Sequence, residues 1–360
     1  PKPPWFLNIE CALAPERMGL MDKSDIKSML PHELEAALAE MGEPKYRAKQ
    51  VFAWLMRGAT DFASMTNIGK SLQQKLDERF YITAPVILRK QVSKEDGTIK
   101  YLWQLRDGNA IESVLMRYKH GNTVCVSSQV GCKMNCAFCA SAKGGWIRNL
   151  APSEILDQVL FTELDSGAKV SNIVLMGIGE PLDNFDNVMR FLELVNHPEG
   201  LNIGMRHISL STCGLPDKID KLGDYNLQLT LSLSLHAPDD QTREEIMPVG
   251  RRYPIHEVID ACKRYYDKTG RRISIEYAMI DGVNDSDRQA EMLADIARTL
   301  SAHINLIPLN NVEGSPLKPS RRIKQFIKIL EGKGANVTVR RRLGSDIEAA
   351  CGQLRKKVTG

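Results

Sequence analysis

The feature that most constrains this chain is a run of three closely spaced cysteines. The segment CVSSQVGCKMNCAFCASAKGGWIRNL, residues 125–150, places Cys132, Cys136 and Cys139 in a C-x3-C-x2-C pattern. Short loops allow the three sulfurs to bind one inorganic centre, and thiolates favour zinc, copper(I) or iron–sulfur clusters. A structural zinc site has four protein ligands, and a cubane cluster is usually held by four cysteines. The triplet therefore indicates a cluster with one open iron, or a zinc site completed by Cys125 or a distant residue.

The remaining cysteines favour a reducing compartment. The chain has eight, too sparse and uneven for a disulfide-bonded scaffold, at positions 11, 125, 132, 136, 139, 213, 262 and 351. We expect Cys11, Cys213 and Cys262 to be small buried hydrophobic residues. No apolar run is long enough to span a membrane, and the N-terminal residues lack the order of a secretory signal. We therefore expect a cytoplasmic protein with no membrane partner.

Basic residues are concentrated near the end of the chain. The net charge is only +4, from 48 Lys and Arg against 44 Asp and Glu, and does not by itself indicate nucleic acid. Clusters occur within residues 321–324, 340–342 and 355–357. Together they fit a phosphate-contacting surface, whereas any one cluster alone fits a solvated helix face better.

Residues 1–95 are predicted to form a helical accessory domain. Leucine and alanine at helical spacing predict a helix over 25–41 that ends at Gly42. A second helix is predicted within 45–58 and a third near 70–80. Helices with interleaved basic residues suit contact with RNA, although a plain helical appendage fits the pattern equally well.

A β-hairpin linker is predicted over residues 96–121. Two alternating runs within 98–118 flank Asp107 and Gly108, and an Asp-Gly pair supplies the positive φ angles that a tight turn needs. The hairpin would join the helical domain to the main domain.

The main domain, residues 122–345, alternates strands and amphipathic helices. Strands are predicted at 123–128, 172–177, 207–212, 228–236, 273–280, 304–309 and 336–341. Helices are predicted between them at 152–164, 188–195, 255–266, 288–300 and 321–330. About six such units imply an α/β fold with parallel strands, closed as a partial TIM-type (βα)6 barrel. Residues 346–360 form a C-terminal segment.

Polar residues collect where the predicted parallel strands end, which is where such folds place their sites. The second strand ends in MGIGEP, in which Gly179 allows close backbone approach and Glu180 supplies a carboxylate. Further candidates at strand ends carry a hydroxyl, an imidazole or an amide that can hydrogen-bond a ribose, an adenine edge or a carboxylate, namely Ser211, Ser234, His236 and Asn310, and Leu235 lies between Ser234 and His236. Taken singly, each fits an ordinary turn residue better.

Two cysteines outside the triplet are candidate reactive thiols. Cys351 precedes a glycine in SDIEAACGQL and is expected in an accessible loop. Cys125 lies on the first strand, just before the triplet. Two free thiols near one redox centre suggest covalent and proton-transfer roles, although Cys351 alone would fit a buried residue of a terminal helix.

The chain resembles the RlmN/Cfr family of radical S-adenosylmethionine (SAM) RNA methyltransferases over nearly its whole length. The matching segments are GEPKYRAKQVFAW, CVSSQVGC with the triplet, RNL, MGIGEP, LST, SLHAPDD, NLIPLN and DIEAACGQL. The departures are Ile178, where methionine is usual, and SAKGG at 141–145. Neither changes a residue with an assigned role.

This resemblance implies a radical SAM barrel with an RNA-binding accessory domain. The triplet would hold one [4Fe-4S] cluster, and Gly179, Glu180 and the other strand-end residues would bind SAM. Cys351 would become an S-methylcysteine, lose a hydrogen atom to a radical generated from a second SAM, and bond to the adenine. Cys125 would resolve the crosslink and leave a Cys125–Cys351 disulfide, while Glu112 would accept a proton.

The implied reaction is methylation of adenine C2 in 23S rRNA and in tRNA beside the anticodon. Methylation at C8 of the same rRNA adenine uses the same motifs, so residues alone do not distinguish the two. A non-catalytic metal-binding RNA regulator is a further alternative, but it has no need of MGIGEP or of the thiol pair. The expected electron donor is a flavodoxin or ferredoxin, and the expected state is a monomer.

Overall fold

A computed structural model describes residues 23–119, 121–310, 312 and 314–354. The chain divides into two compact units, one ending at Ala84 and one beginning at Pro85. Cys11 and the basic cluster at 355–357 lie outside the described residues, as do the outer ends of the expected accessory domain and C-terminal segment.

The N-terminal unit is helical, as predicted. Its helices are α1 (Pro31–Glu40), α2 (Tyr46–Leu55) and α3 (Lys70–Arg79), and two short parallel strands, β1 (Ser24–Asp25) and β2 (Phe80–Tyr81), close it. The predicted helix at 25–41 is interrupted, because residues 26–28 form a separate 3-10 turn. α1 begins at Pro31, since proline suits the first helical position.

The C-terminal unit contains one ten-stranded sheet and a separate two-stranded ribbon. Along the chain the strands are β3 (Val86–Val92), β4 (Ile99–Gln104), β5 (Ala110–Tyr118), β6 (Gly121–Cys125), β7 (Gln129–Val130), β8 (Arg148–Asn149), β9 (Val170–Leu175), β10 (Ile208–Thr212), β11 (Thr230–Ser234), β12 (Ser274–Met279), β13 (His303–Pro308) and β14 (Asn336–Val339). The helices are α4 (Pro152–Ser166), α5 (Phe185–Asn196), α6 (Pro216–Asp224), α7 (Asp240–Ile246), α8 (Ile255–Thr269), α9 (Asp287–Thr299) and α10 (Ile323–Gly332).

The large sheet is parallel over most of its width. Its order is β14-β13-β12-β11-β10-β9-β6-β5-β4-β3, with β6 and β9 to β14 parallel and β3 to β6 antiparallel. The order is open at β14 and β3, which confirms the partial α/β barrel. β7 and β8 form the ribbon beside the cysteine loop.

The strand and helix predictions for this unit are largely confirmed, with five omissions. The predicted hairpin is β4–β5, and each predicted parallel strand overlaps an observed one. The sequence prediction missed β3, α6 and α7, and also the two-residue strands β7 and β8. Most β3 residues are exposed, so this edge strand lacks an alternating pattern, while α7 has only seven residues. The two compact units divide between Ala84 and Pro85, so β3 belongs with the large sheet of the C-terminal unit.

Among the described residues, no helix has both the length and the apolar character that crossing a membrane requires.

Central strand residues carry the stability of the C-terminal unit. Leu210 on β10 is fully buried, whereas Leu164 on α4 is 54% exposed. We expect Leu210→Ala to lower the free energy of unfolding by about 2–5 kcal/mol, because a cavity replaces buried methyl groups. Leu164→Ala should change it by less than about 0.5 kcal/mol. Urea denaturation measures both, and equal losses would contradict the assignment of β10 to the core.

Candidate active site

The cysteine loop is fixed by its backbone. It follows β7 at Gly131, whose φ is +79° and whose added Cβ would lie 1.7 Å from the Gly145 oxygen. The Cys139 N–H donates to the Cys136 carbonyl at 3.1 Å, and the Ala137 N–H donates to the Ile246 carbonyl of α7 at 2.9 Å. The loop is therefore packed against its own later residues at Gly145 and hydrogen-bonded to α7.

The three cysteines of the triplet line one cavity, here called the cysteine cavity. Burial, with smaller contributions from the charges of Cys139 and Cys132, raises the pKa of Cys136 well above its ordinary value. No three His, Cys, Asp or Glu side chains in the described ranges converge on a single metal ion. A cubane instead takes its cysteines on different irons, so this donor set fits a [4Fe-4S] cluster.

Cys125, one of the fourth ligands considered for a zinc site, does not line the cysteine cavity. It lines an adjoining cavity together with four arginines, here called the arginine cavity.

Glu180 lies buried at the end of β9, facing the cysteine cavity. Its Oε2 accepts from the Cys213 N–H at 2.8 Å and its Oε1 accepts from the Leu182 N–H at 3.1 Å. Burial raises the pKa of Glu180, and these hydrogen bonds oppose the rise. Gly179 has a φ of +109°, and an added Cβ there would lie 2.7 Å from the Gln129 Cβ. Only glycine fits this close approach.

A buried arginine that the sequence prediction missed supports this carboxylate. The Arg243 side chain on α7 is fully buried. Its Nη2 donates to the Cys213 carbonyl at 2.6 Å and its Nη1 donates to the Tyr253 carbonyl at 3.0 Å. Cys213 is buried as predicted, and its backbone N–H and carbonyl link Glu180 to Arg243. A seven-residue helix with one arginine gives no sequence signal for this contact.

Four of the five further strand-end candidates line the same cavity. Ser211, Ser234, His236 and Asn310 all line it. The Ser211 and Ser234 hydroxyls are 3.1 Å apart. Leu235 is buried in the core with its side chain outside the cavity, because successive residues of an extended strand face opposite sides. Leu235 therefore offers only backbone atoms.

His236 is a neutral hydrogen-bond donor. Its Nδ1 accepts from the Ala278 N–H at 2.9 Å, so the proton lies on Nε2. Burial, with smaller contributions from Arg243 and Arg340, lowers the pKa of His236 to about 3. The ring packs edge-on against Phe138 of the cysteine loop, with centroids 4.8 Å apart.

Cys351 lies where the two cavities meet. It is exposed and lines both of them. The Nη1 of Arg340 is 3.6 Å from its sulfur and 3.6 Å from the Glu276 Oε2. Desolvation raises the pKa of Cys351, and the Arg340 charge opposes the rise. The Asn310 amide donates to the Cys351 carbonyl at 3.1 Å.

Cys125 lies on the arginine-cavity side. It is buried, unpaired with any described cysteine, and packed with Val114, Ile178 and Ala349. Burial and the charge of Cys351 raise the pKa of the Cys125 thiol to about 12. The structure thus brings the two predicted reactive thiols into one region.

Glu112 is not among the residues that line either cavity. It is buried on β5, with its Oε1 3.4 Å from the Lys100 Nζ. Val114, two residues further along the same face, does line the arginine cavity. Glu112 is therefore on the same face of β5 as Val114 but outside both cavities.

The basic cluster at 340–342 lines the arginine cavity, together with Arg206 and His207. The Arg342 Nη2 donates to the Leu309 carbonyl at 3.1 Å. In the cluster at 321–324, Arg322 instead pairs with Asp287 at 2.5 Å. Only the first of these two clusters borders the site.

The fold, the cysteine loop and the glycine-rich turn define a radical SAM protein. The sequence profile of the Radical SAM superfamily matches residues 126–293. The profile of the ribosomal RNA large subunit methyltransferase N-terminal domain matches residues 24–82. Radical SAM proteins use a [4Fe-4S] cluster and SAM, and the cofactor prediction is confirmed at this level.

The chain belongs to the RlmN family of radical SAM methyltransferases. Probable dual-specificity RNA methyltransferase RlmN of Alkaliphilus metalliredigens is 50% identical over 94% of this chain and 96% of its own length. The protein of that name from Alkaliphilus oremlandii is 51% identical over 94% and 99%. The crystal structure of a radical SAM methyltransferase from Sphaerobacter thermophilus has a TM-score of 0.88 and 44% identity, covering 93% of this chain and 100% of that one.

His236 gives a pH-dependent test of this geometry. Its pKa is lowered from 6.5 to about 3, so below pH 6.5 the unfolded chain takes up a proton that the folded chain does not. This residue therefore makes folding less favourable as pH falls from about 6.5 to about 3. We expect histidine ¹⁵N NMR to show one imidazole that stays in the neutral Nε2–H form at pH 5.

The signal is assigned with His236→Gln, and the urea-unfolded protein supplies the reference titration. Protonation of the His236 ring near pH 6.5 in the folded protein would contradict the buried acceptor geometry.

Proposed function

We propose that this protein methylates C2 of an adenine in 23S rRNA and in tRNA, through a covalent bond between Cys351 and the RNA base. The observation that carries the proposal is the position of Cys351, whose residue lines both the cysteine cavity and the arginine cavity. One thiol can therefore reach a cofactor on one side and a base on the other.

In this proposal the cysteine cavity binds the cofactors. Cys132, Cys136 and Cys139 would hold the cluster, and Glu180 with Gly179 would hold the SAM amino group. The remaining contacts to SAM come from Ser211, Ser234, His236, Asn310 and the Leu235 backbone. The bound cofactors supply a methyl group and a radical able to abstract hydrogen.

The chain's own residues carry the methyl group. The Cys351 thiol accepts it, and Arg340, 3.6 Å from the sulfur, favours the thiolate that this step requires. After hydrogen abstraction, the carbon on sulfur bonds to adenine C2. The adduct then loses one electron, which the cluster held by the cysteine triplet would take up, and it loses the C2 proton to Glu112 with the help of Cys125. The Cys125 thiolate attacks the sulfur of Cys351, so that a sulfur–sulfur bond forms as the bond from that sulfur to the carbon breaks. The released carbon takes up a proton and becomes the methyl group on C2, and the thiol pair ends as a disulfide.

RNA is the substrate class that the surroundings of the site support. Arg206, Arg341 and Arg342 line the arginine cavity, and arginines bind phosphates in bidentate geometry. The N-terminal unit corresponds to a ribosomal RNA methyltransferase domain, and the relatives are named dual-specificity RNA methyltransferases RlmN. These names support a methyltransferase with two RNA substrates and oppose the non-catalytic regulator.

The same proposal covers the protein's partners. A flavodoxin or ferredoxin would supply electrons to the cluster and reduce the thiol pair after each turnover. The enzyme would work as a monomer in the cytoplasm.

The ligand assignment is tested by removing single thiols. Cys132→Ala, Cys136→Ala or Cys139→Ala should abolish cluster assembly and methylation together, because each sulfur binds a different iron. Cys262→Ala is the control, since that buried cysteine lines neither cavity. Iron analysis after anaerobic reconstitution measures the result. About four irons per chain, the content of a cubane, in any triplet variant would disprove the assignment.

The role of Glu180 is tested by binding. Glu180→Ala should keep the cluster but weaken SAM binding roughly 10- to 150-fold, the effect of losing one charge-assisted hydrogen bond. Glu291→Ala, at an exposed position of α9, is the control. Equilibrium dialysis measures both affinities, and unchanged SAM binding in the Glu180 variant would rule out this contact.

Replacing Cys351 and replacing Cys125 should each stop methylation, but at different steps. Cys351→Ala has no sulfur to methylate and should give neither product nor adduct. Cys125→Ala should still methylate Cys351 and attack the base, but a thioether does not break without a positioned group. A protein–RNA adduct should therefore accumulate.

Denaturing gels followed by nuclease digestion and mass measurement detect this adduct. An adduct in the Cys351 variant would overturn the roles. A methylated Cys351 with no adduct in the Cys125 variant would also overturn them.

A further inference from the structure

The antiparallel part of the sheet contacts the segment that carries Cys351. The β3–β4 turn, residues 93–98, faces the carrier segment, defined here as residues 344–354. Three hydrogen bonds of 2.8–2.9 Å join the turn to the start of the segment, namely Lys94 N to Asp346 Oδ2, Ser345 Oγ to Glu95 Oε2 and Gly344 N to Asp96 Oδ2. The partners are about 250 residues apart in sequence, so these contacts hold the carrier segment against a distant part of the chain. This set of contacts is called the dock below.

Lys100 is the buried centre of this dock. Its side chain is only 8% exposed, and its Nζ is 3.4 Å from the Glu112 Oε1. The same Nζ donates to the Glu348 carbonyl at 3.2 Å. One ammonium group thus joins a β5 carboxylate to the backbone of the carrier segment, three residues before Cys351.

The peptide that Lys100 holds has an unfavourable backbone conformation. Glu348 has a φ of +51° and a ψ of 38°, the left-handed region that side chains other than glycine, asparagine and aspartate rarely adopt. Such a conformation persists only where surrounding contacts fix it. The Lys100 hydrogen bond to the Glu348 carbonyl is a contact of this kind.

The far end of the carrier segment is held separately, by the cysteine loop and by Asn310. The Ala140 N–H donates to the Gly352 carbonyl at 2.7 Å, and the Ser141 hydroxyl donates to the Leu354 carbonyl at 3.0 Å. Cys351 therefore lies between two anchors, one formed by Lys100 and the turn and one formed by the residues after Cys139.

We propose that Lys100 is a positioning residue that, with the β3–β4 turn, docks the carrier segment and keeps Cys351 between the two cavities. The importance of Lys100 for methyl transfer rests on the proposed role of Cys351 as methyl carrier. The claim that Lys100 positions the carrier segment does not rest on that role, because it concerns only where the segment lies. The antiparallel strands β3 and β4 thus have a function of their own, which is to set the position of the Cys351 thiol.

The test is the alkylation rate of Cys351 in the full-length, reduced protein without SAM or RNA. Lys100→Met removes the ammonium group and keeps an apolar side chain of similar length. We expect iodoacetamide to modify Cys351 faster by on the order of tenfold, the population change from losing one charge-assisted hydrogen bond, because a released segment frees the sulfur from its contacts where the two cavities meet. Peptide mass spectrometry measures the rate, with fully buried Cys262 reporting global unfolding.

One control separates the dock from ordinary ion pairing. Lys90→Met removes a lysine on adjacent β3 that pairs with Asp165, and it should leave Cys351 alkylation unchanged. A rate in Lys100→Met equal to wild type, or an equal rise in Lys90→Met, would overturn the proposal.

A second variant keeps the test valid if Lys100→Met does not fold. Asp346→Ala changes an exposed side chain and removes the acceptor of the Lys94 N–H. It should raise the Cys351 rate in the same direction, and no rise would contradict the dock. The proposed function fails separately, if wild-type Cys351 is never methylated when SAM and the cluster are supplied.

Discussion

Parallel strand pairing determines where the functional groups of the C-terminal unit lie. Because β6 and β9 to β14 run in one direction, the residues that follow each strand meet at one edge of the sheet. Strand register then sets the distances, as in the pairing of Ser211 with Ser232 beside Ser234, which leaves the Ser211 and Ser234 hydroxyls 3.1 Å apart. The cysteine loop, the glycine-rich turn and His236 gather there for the same reason.

The returning end of the chain completes this site. Residues after β14 cross the edge of the sheet and place Cys351 between the two cavities. Arg340 links the thiol electrostatically to the buried Glu276 carboxylate, at 3.6 Å from each. A buried charge is tolerated only when it is paired or hydrogen-bonded, so this arrangement fixes the arginine and places its charge beside the sulfur. The contact between Arg340 and Glu276 therefore serves both the fold and the reactivity of the Cys351 thiol.

Local sequence patterns predicted most of the fold and part of the site. Alternation and turn residues located the parallel strands and the hairpin, and spacing located the triplet. The contacts of Arg243 and Lys100 were missed because they join carbonyls and carboxylates remote in sequence, which leaves no local pattern. Leu235 was named from its place at a strand end, and Glu112 from the family resemblance alone. Only the structure shows that neither side chain lines a cavity, since that depends on strand orientation and register.

The central claim is that one methyl group passes through Cys351 to adenine. The most direct measurement supplies SAM with an isotopically labelled methyl group to the anaerobically reconstituted protein, followed by RNA and reductant. Mass spectrometry then follows the label in the Cys351 peptide and in the adenosine. The account predicts label on Cys351 first and at adenine C2 afterwards. Labelled adenosine formed while Cys351 stays unlabelled would contradict it.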